Sequence, residues 1–336
     1  NIPVVTTVMG RGAIPTNHPL YIGNLGMHGA YACNMAVSDC DLLFLIGTRF
    51  NDRITGKLHS FAPNAQIVHI DIDTASISRN IHVHVPIVAD AKEAVAKMRE
   101  YVEPCETKEW LERIAQWNAE HPLTMKVHGS IGPRDIIEEM NRQFDDAIIT
   151  TDVGQHQMWA AQYYKYERPR QFLTSGGLGT MGYGLGAAIG AKCGCPDKVV
   201  VNIAGDGCFR MNMNEIATAT RSEIPVIEVV VNNHVLGMVR QWQNLFYGER
   251  YSSTTLYDKV DFVKLAEAMG AKAKRVETIE EFEAAFKEAV ASNEPYLLDC
   301  IIDSDDKVWP MVAPGGSISD AFNEEDLEKQ KQEESK

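Results

Sequence analysis

Gly205-Asp206-Gly207 is followed by twenty-four residues and then by Asn232-Asn233, a spacing that can bring one carboxylate and one carboxamide to a single divalent ion. Mg2+ takes about six oxygens at roughly 2.0–2.1 Å and commonly fills part of its shell from substrate phosphates. Asp206, the Asn233 side-chain oxygen and a backbone carbonyl would leave positions for a diphosphate. Glycine on both sides of Asp206 lets the backbone approach such a group closely. Each piece has a plainer reading: Gly-Asp-Gly is often a turn, and an Asn pair is often a helix cap. The metal reading rests on the two together, each closing an apolar run.

Those runs, 199–204 and 226–231, are β-branched and continuous, as strands buried on both faces are. Further strands are expected at 147–152, 272–276 and 296–302. Helices are expected at 134–143, 156–165, 183–192, 214–222, 235–246, 262–269 and 279–291. The first hundred residues alternate in the same way, with strands at 4–8, 42–47, 66–71 and 85–88 and helices at 29–38 and from 91. Alternation of this kind implies parallel sheets with helical crossovers. The fold class expected is α/β, with two doubly wound parallel-sheet domains; that the first is truncated at its N-terminus is what the family resemblance set out below implies. Residues 1–100 are read as a partial domain, 101–132 as a linker, 133–304 as the diphosphate and metal domain, and 305–336 as a tail. Its last part, from 324, is nearly all charge and is expected to be disordered. In the first domain, Gly26-Met27-His28-Gly29, the run from Arg49 to Arg53 and Asp71 lie where doubly wound sheets bind nucleotides.

The 336 residues carry a formal charge of −14, which argues against a nucleic-acid partner, and 45% are hydrophobic, enough for large cores. No apolar run approaches the roughly 18 residues of a membrane span. A cytoplasmic enzyme without a signal peptide is expected. Seven cysteines, with no Cys-x-x-Cys pair, suggest reduced thiols. His82 and His84 alternate as a polar strand edge would.

Three more stretches extend the pattern around Asp206 and Asn233: Gly154-Gln155-His156-Gln157, the run from Ser175 to Gly184, and the run from Gly237 to Gln243. Together they resemble the thiamine-diphosphate signature. Nearly the whole chain is similar to the large catalytic subunits of the acetolactate synthase (acetohydroxyacid synthase) family.

The resemblance implies Asp206 and Asn233 as Mg2+ side-chain ligands and Val235 as the carbonyl ligand. Gln155, His156, Gly207 and Cys208 would contact the diphosphate, and Gly179 and Met211 the pyrimidine. Met181 would be the apolar wedge that bends the cofactor. Met238 and Trp242, four apart on one helix, would line the pocket of the second 2-ketoacid, and Arg53 would receive its carboxylate. FAD, held without redox turnover, would meet Met27, His28, Gly29, Arg49, Arg53 and Asp90; Asn51 departs from the aspartate common in relatives. The implied reaction decarboxylates pyruvate and condenses the two-carbon unit with pyruvate or 2-ketobutyrate, in branched-chain amino acid biosynthesis. At least a homodimer is implied, with a small regulatory subunit as a further partner. The family's first domain, which carries a glutamate that protonates the aminopyrimidine, has no counterpart here, so turnover by this chain alone is not expected. Two alternatives stay open: another thiamine-diphosphate carboligase or decarboxylase, such as a glyoxylate carboligase, and a noncatalytic nucleotide-binding module.

Overall fold

A computed structural model describes residues 1–257 and 259–334. The chain divides into two compact units, one made of residues 1–7, 18–124 and 309 onward, the other of 8–17 and 125–308.

In the first unit, β1 (Val4–Thr6) pairs in parallel with β2 (Tyr21–Asn24). A second parallel sheet runs in the order β3 (Leu42–Ile46), β4 (Gln66–Asp71), β5 (Val85–Val88). The helices are α1 (Tyr31–Asp39), α2 (Asp52–Thr55), α3 (Ala91–Met98) and α4 (Lys108–Glu120). Leu25, Val37, Leu45, Phe50, Ile54 and Ile67 form the core, joined from far along the chain by Ile318. The stretch expected within a linker is α4. Its Ile114 packs on Ala32 and Ala36 of α1 with Trp110 and Trp117 beside them, which ties it to this unit.

The second unit is built on β6 (Ile148–Thr151), β7 (Phe172–Thr174), β8 (Val200–Gly205), β9 (Ile227–Asn232), β10 (Lys272–Val276) and β11 (Tyr296–Ile301). They form one sheet in the order β10-β11-β9-β8-β6-β7, parallel throughout. Every residue of β9 is buried and all of β8 except its last, as continuous Val and Ile runs require when both faces are covered. The covering helices are α5 (Pro133–Gln143), α6 (Gln155–Tyr163), α7 (Gly184–Gly194), α8 (Asp206–Asn212), α9 (Ile216–Arg221), α10 (Gly237–Phe246), α11 (Phe262–Ala268) and α12 (Ile279–Ser292). Leu185, Ala188, Phe209, Phe262 and Leu297 pack with Val200, Ala204 and Val230 in the main core. Strand order reverses around β6: the chain moves out to β7, then returns to β8 on the other side. The carboxyl ends of β6 and β8 flank that reversal, where open α/β sheets bind ligands.

The short strands β2 and β7 and the helix α8 are additions to the elements expected from sequence. Contrary to the expected disorder, Glu324–Glu334 forms α13. Asn323 and Asp326 cap it reciprocally: Asp326 N–H donates to Asn323 Oδ1 at 3.1 Å, and Asn323 N–H donates to Asp326 Oδ2 at 2.9 Å. Three acidic residues in its first turn favour the helix further. Among the described residues no helix is long and apolar enough to cross a membrane.

Candidate functional site

In the sheet register Gly205, the last residue of β8, pairs with Val231 of β9. Asp206 therefore leaves β8 beside the point where Asn232-Asn233 leaves β9, on neighbouring strands about 4.8 Å apart. Asp206 is 1% exposed, and its Oδ2 has no hydrogen-bond partner. Burial pushes its carboxyl up to about 6, against the opposing pull of the Gly207 amide and the Arg210 charge. A buried carboxylate with an unmet oxygen is a costly arrangement unless a cation completes it.

The Asn233 amide has a defined orientation. Its Nδ2 donates to Gln155 Oε1 at 3.3 Å, and its Oδ1 accepts the Val235 N–H at 3.2 Å. His234, between them, is left-handed with φ 58°. An isolated bridge to residues 254–256 uses the His234 carbonyl and the Leu236 amide, which leaves the Val235 carbonyl out of that pairing. Among the described residues no cluster of three or more His, Cys, Asp and Glu forms a metal site. The donor set here is one carboxylate, one carboxamide and a carbonyl: hard oxygens that suit Mg2+ only if a ligand adds more. The residues fit such an ion together with a diphosphate.

Gly154-Gln155-His156 opens α6 under these strand ends. The His156 ring packs on bare backbone: a Cβ at Gly205 would lie 2.9 Å from its Nδ1, and one at Gly154 2.8 Å from its Cε1. Burial holds its pKa down to about 3 although the ring donates to the Asp152 carbonyl, so it is neutral, and its Nε2 is buried without a partner. A Cβ at Gly237 would fall 1.9 Å from Gln155 Oε1 and 2.8 Å from Asn233 Nδ2, so only glycine fits there.

The turn between β7 and α7 carries Gly179 and Met181. Gly179 and Gly182 take φ of 77° and 86°, conformations suited to glycine. Buried Asp152, at the end of β6, accepts the Gly182 N–H at 2.7 Å and the Gly184 N–H at 3.2 Å on Oδ1, which fixes the height of Met181. A Cβ at Gly207 would lie 3.8 Å from Met181 Cε and 2.5 Å from Leu236 Cδ2. Met211 is 53% exposed, and its Cβ backs onto Gly182. The Cys208 thiol donates to the Val153 carbonyl at 3.1 Å and is pushed up to about 12 by burial, so it is not a thiolate. Met238 and Trp242 lie on α10, both half-buried, with the indole edge-on to Phe246 at 5.9 Å.

In the first unit a tight loop holds Met27, His28 and Gly29. Asn34 clamps Gly26 by accepting its N–H at 3.0 Å and donating to its carbonyl at 3.1 Å. Met27 N–H donates to the Arg53 carbonyl at 2.8 Å, and Arg53 Nη1 to Met27 Sδ at 3.7 Å. Burial, with Arg53 adding repulsion, takes His28 down to about 4. Asn51 Oδ1 is buried with no partner. Arg49 is exposed beyond β3, and Asp90 beyond β5 uses its carboxylate to cap α3.

Four buried polar residues here carried no functional reading from sequence: Asp152, Glu228, Gln241 and Asp306. Glu228 accepts from Asn202 Nδ2 on both oxygens at 2.9 Å, and burial raises its pKa well above the ordinary range. A glutamate inside the run from Ile227 to Val231 was a visible signal, because a charge in a buried strand needs a partner. Gln241 and Asp306 gave none, since their partners are distant in sequence.

Two family models match the chain: "Thiamine pyrophosphate enzyme, central domain" over residues 1–98, and "Thiamine pyrophosphate enzyme, C-terminal TPP binding domain" over 152–300. The chain is 47% identical over 329 residues to the "Probable acetolactate synthase large subunit" of Methanocaldococcus jannaschii, an alignment covering 95% of this chain and 56% of that protein. It is 44% identical over 321 residues to the "Acetolactate synthase isozyme 2 large subunit" of Escherichia coli, covering 95% and 58%. It is 47% identical over 330 residues to the "Acetolactate synthase" of Mycobacterium bovis, covering 94% and 53%. The chain thus spans a little over half the length of these curated relatives.

Proposed function

The chain belongs to the thiamine pyrophosphate enzymes, whose central and C-terminal domains it carries, and on that premise we propose that it is the cofactor-binding part of an acetolactate synthase. One observation supports this above the others: Asp206, buried and short of a partner on Oδ2, stands at the end of β8 next to the Asn233 amide at the end of β9. Asp206, Asn233 and the Val235 carbonyl would hold Mg2+. Gln155, His156, Gly207 and Cys208 would meet the diphosphate. When bound, thiamine diphosphate supplies a carbon acid that serves as electron sink for decarboxylating a 2-ketoacid.

The chain's own residues position and dry the site. Gly179 and Met211 would hold the pyrimidine through backbone atoms, and Met181, with Leu236 beside Gly207, forms the apolar surface against which the cofactor would bend. Met238 and Trp242 would line the acceptor pocket, where an indole can separate a methyl from an ethyl by roughly 1–3 kcal/mol. Arg53 would take the acceptor carboxylate with its planar fork. The first unit would hold FAD as a structural group around Met27, His28, Gly29, Arg49, Arg53 and Asp90; the unmet Asn51 Oδ1 fits a ligand that brings a donor. Pyruvate and 2-ketobutyrate are the proposed substrates, with a homodimer or larger assembly, a small regulatory subunit and a cytoplasmic setting.

The test is the product formed from pyruvate by the full-length polypeptide with thiamine diphosphate, Mg2+ and FAD. Acetolactate is expected. Acetaldehyde would move the assignment to a decarboxylase, and no Mg2+-dependent retention of the cofactor would remove the enzyme reading.

A further inference from the structure

Two neighbouring residues of the first unit forgo what their types prefer. Phe50 takes a left-handed backbone, φ 52°, in which a bulky residue is strained. Asn51 is the N-cap residue of α2, yet its side chain makes no capping bond, although asparagine is among the preferred caps. Its Oδ1 is buried with no partner instead. The Phe50 ring is 1% exposed and lies edge-on to Phe61 at 5.9 Å and to His69 at 5.3 Å, contacts that hold the ring. The Asn51 carbonyl is held by α2, accepting the Ile54 and Thr55 N–H groups, each at 3.0 Å. Neither set of contacts reaches the peptide plane between the two residues. The carbonyl of that plane, which belongs to Phe50, accepts from Asn80 Nδ2 at 2.7 Å, and its N–H has no partner among the described residues. Asn80 is itself anchored: Ile81 and Val83, just after it, are buried in the same core as Phe50, and Ser78 Oγ accepts the Val83 N–H at 3.1 Å.

We infer that Asn80 is a positioning residue for the flavin loop: by holding the Phe50 carbonyl it keeps residues 49–53 in the strained form that withholds Asn51 from the helix cap and leaves its Oδ1 for a hydroxyl or amino donor of a bound flavin nucleotide. The inference rests on the flavin reading above and deepens it. Strain of this kind persists only where the surroundings over-determine it, and it gathers at ligand sites. Remove Asn80, and the plane between Phe50 and Asn51 can turn. Phe50 then leaves the left-handed region, and the Asn51 side chain swings to cap α2, so the acceptor offered to the ligand is lost.

The test is titration of FAD into the full-length polypeptide, read by the quenching of flavin fluorescence, with thermal melting of the flavin-free protein beside it. Asn80→Ala is expected to raise the Kd for FAD about tenfold, the effect of losing one well-placed hydrogen bond. The flavin-free variant is expected to melt no lower than wild type, because relief of Phe50 and the restored cap offset the lost bond. Asn80→Asp keeps the shape, but an ionised carboxylate cannot donate to a carbonyl, so the same loss of affinity is expected. An Asn51→Ala background supplies the decisive contrast. No acceptor is left there to misplace, so adding Asn80→Ala should change the Kd less than about twofold. An equal loss in both backgrounds, or melting that falls together with affinity, would make Asn80 merely structural, and unchanged affinity in Asn80→Ala would also overturn the inference. Should Asn80→Ala fail to fold, Asn80→Asp decides: a loss of about tenfold supports the inference and wild-type affinity overturns it. If the wild type itself binds no FAD, the flavin reading fails first and the inference falls with it; wild-type binding with unchanged variants overturns the inference alone.

Discussion

Asp206→Asn should stabilise the metal-free protein while removing its cofactor affinity. The ordinary value of 3.8 and the folded value of about 6 differ by roughly 2 pKa units, or about 3 kcal/mol at 1.36 kcal/mol per unit. The sign follows from proton binding. Between those values the folded state holds a proton that the unfolded chain has released, so stability falls as pH rises through the window from 3.8 to about 6 and stays reduced above it. An amide of the same shape carries no such penalty. Asp206→Asn should therefore exceed wild type by about 3 kcal/mol at pH 8 and by about half that at pH 5. At roughly 2–4 °C per kcal/mol for a unit of this size, the gap at pH 8 is about 6–12 °C. Guanidinium unfolding in EDTA at the two pH values measures it. Mg2+ with thiamine diphosphate at about 1,000 times its Kd should reverse the order, because it adds about 4.1 kcal/mol to whichever protein binds it, more than the gap of about 3 kcal/mol. A gap that ignores both pH and Mg2+ would refute the argument and leave Asp206 a turn residue.

Trp242→Leu should lower the preference for 2-ketobutyrate over pyruvate as acceptor by about tenfold while acetolactate formation continues, as read from the product ratio in mixed-substrate assays. Asp152→Ala should cost about 1–3 kcal/mol by urea unfolding, since the Gly182 and Gly184 amides lose their acceptor; it should also weaken thiamine-diphosphate binding by loosening the turn that carries Met181. His156 stays neutral in the fold down to about pH 3, while the unfolded chain takes up its proton below 6.5. The stability it contributes is complete above 6.5 and declines by about 2 kcal/mol at pH 5. His156→Gln should flatten the unfolding profile between pH 7 and 5 by that amount, and a parallel profile would show that the ring is solvated.

The strand ends that carry Asp206 and Asn233 were legible because long β-branched runs announce buried parallel strands, and the residues after them stand out as polar. Edges were less so: three-residue β7 is too short to show a period, and its pairing with β6 comes from the sheet. The Gly-Asp-Gly triplet is also compatible with a turn, yet Asp206 begins α8, whose Cys208 and Phe209 are buried. Gln241 carries no comparable signal in the sequence. Its partners, Gln155 and Val308, are 86 and 67 positions away, and no local pattern announces a contact of that range. The acidic C-terminal stretch has the composition of a disordered tail, and its helix is set instead by the reciprocal cap between Asn323 and Asp326.

The first unit draws together segments made at very different times. His28 meets the Pro310 carbonyl, 282 positions away, Met27 accepts from Val312, and Ile318 completes the core around Leu25 and Phe50. At about 5–20 residues per second, the ribosome needs roughly 15 to 60 s between these partners. Residues 125–308, most of the second unit, emerge in that interval. Nascent Leu25, Val37 and Phe50 must therefore wait with part of their apolar surface uncovered while another core assembles, and they are the segment on which chaperone dependence during synthesis should fall.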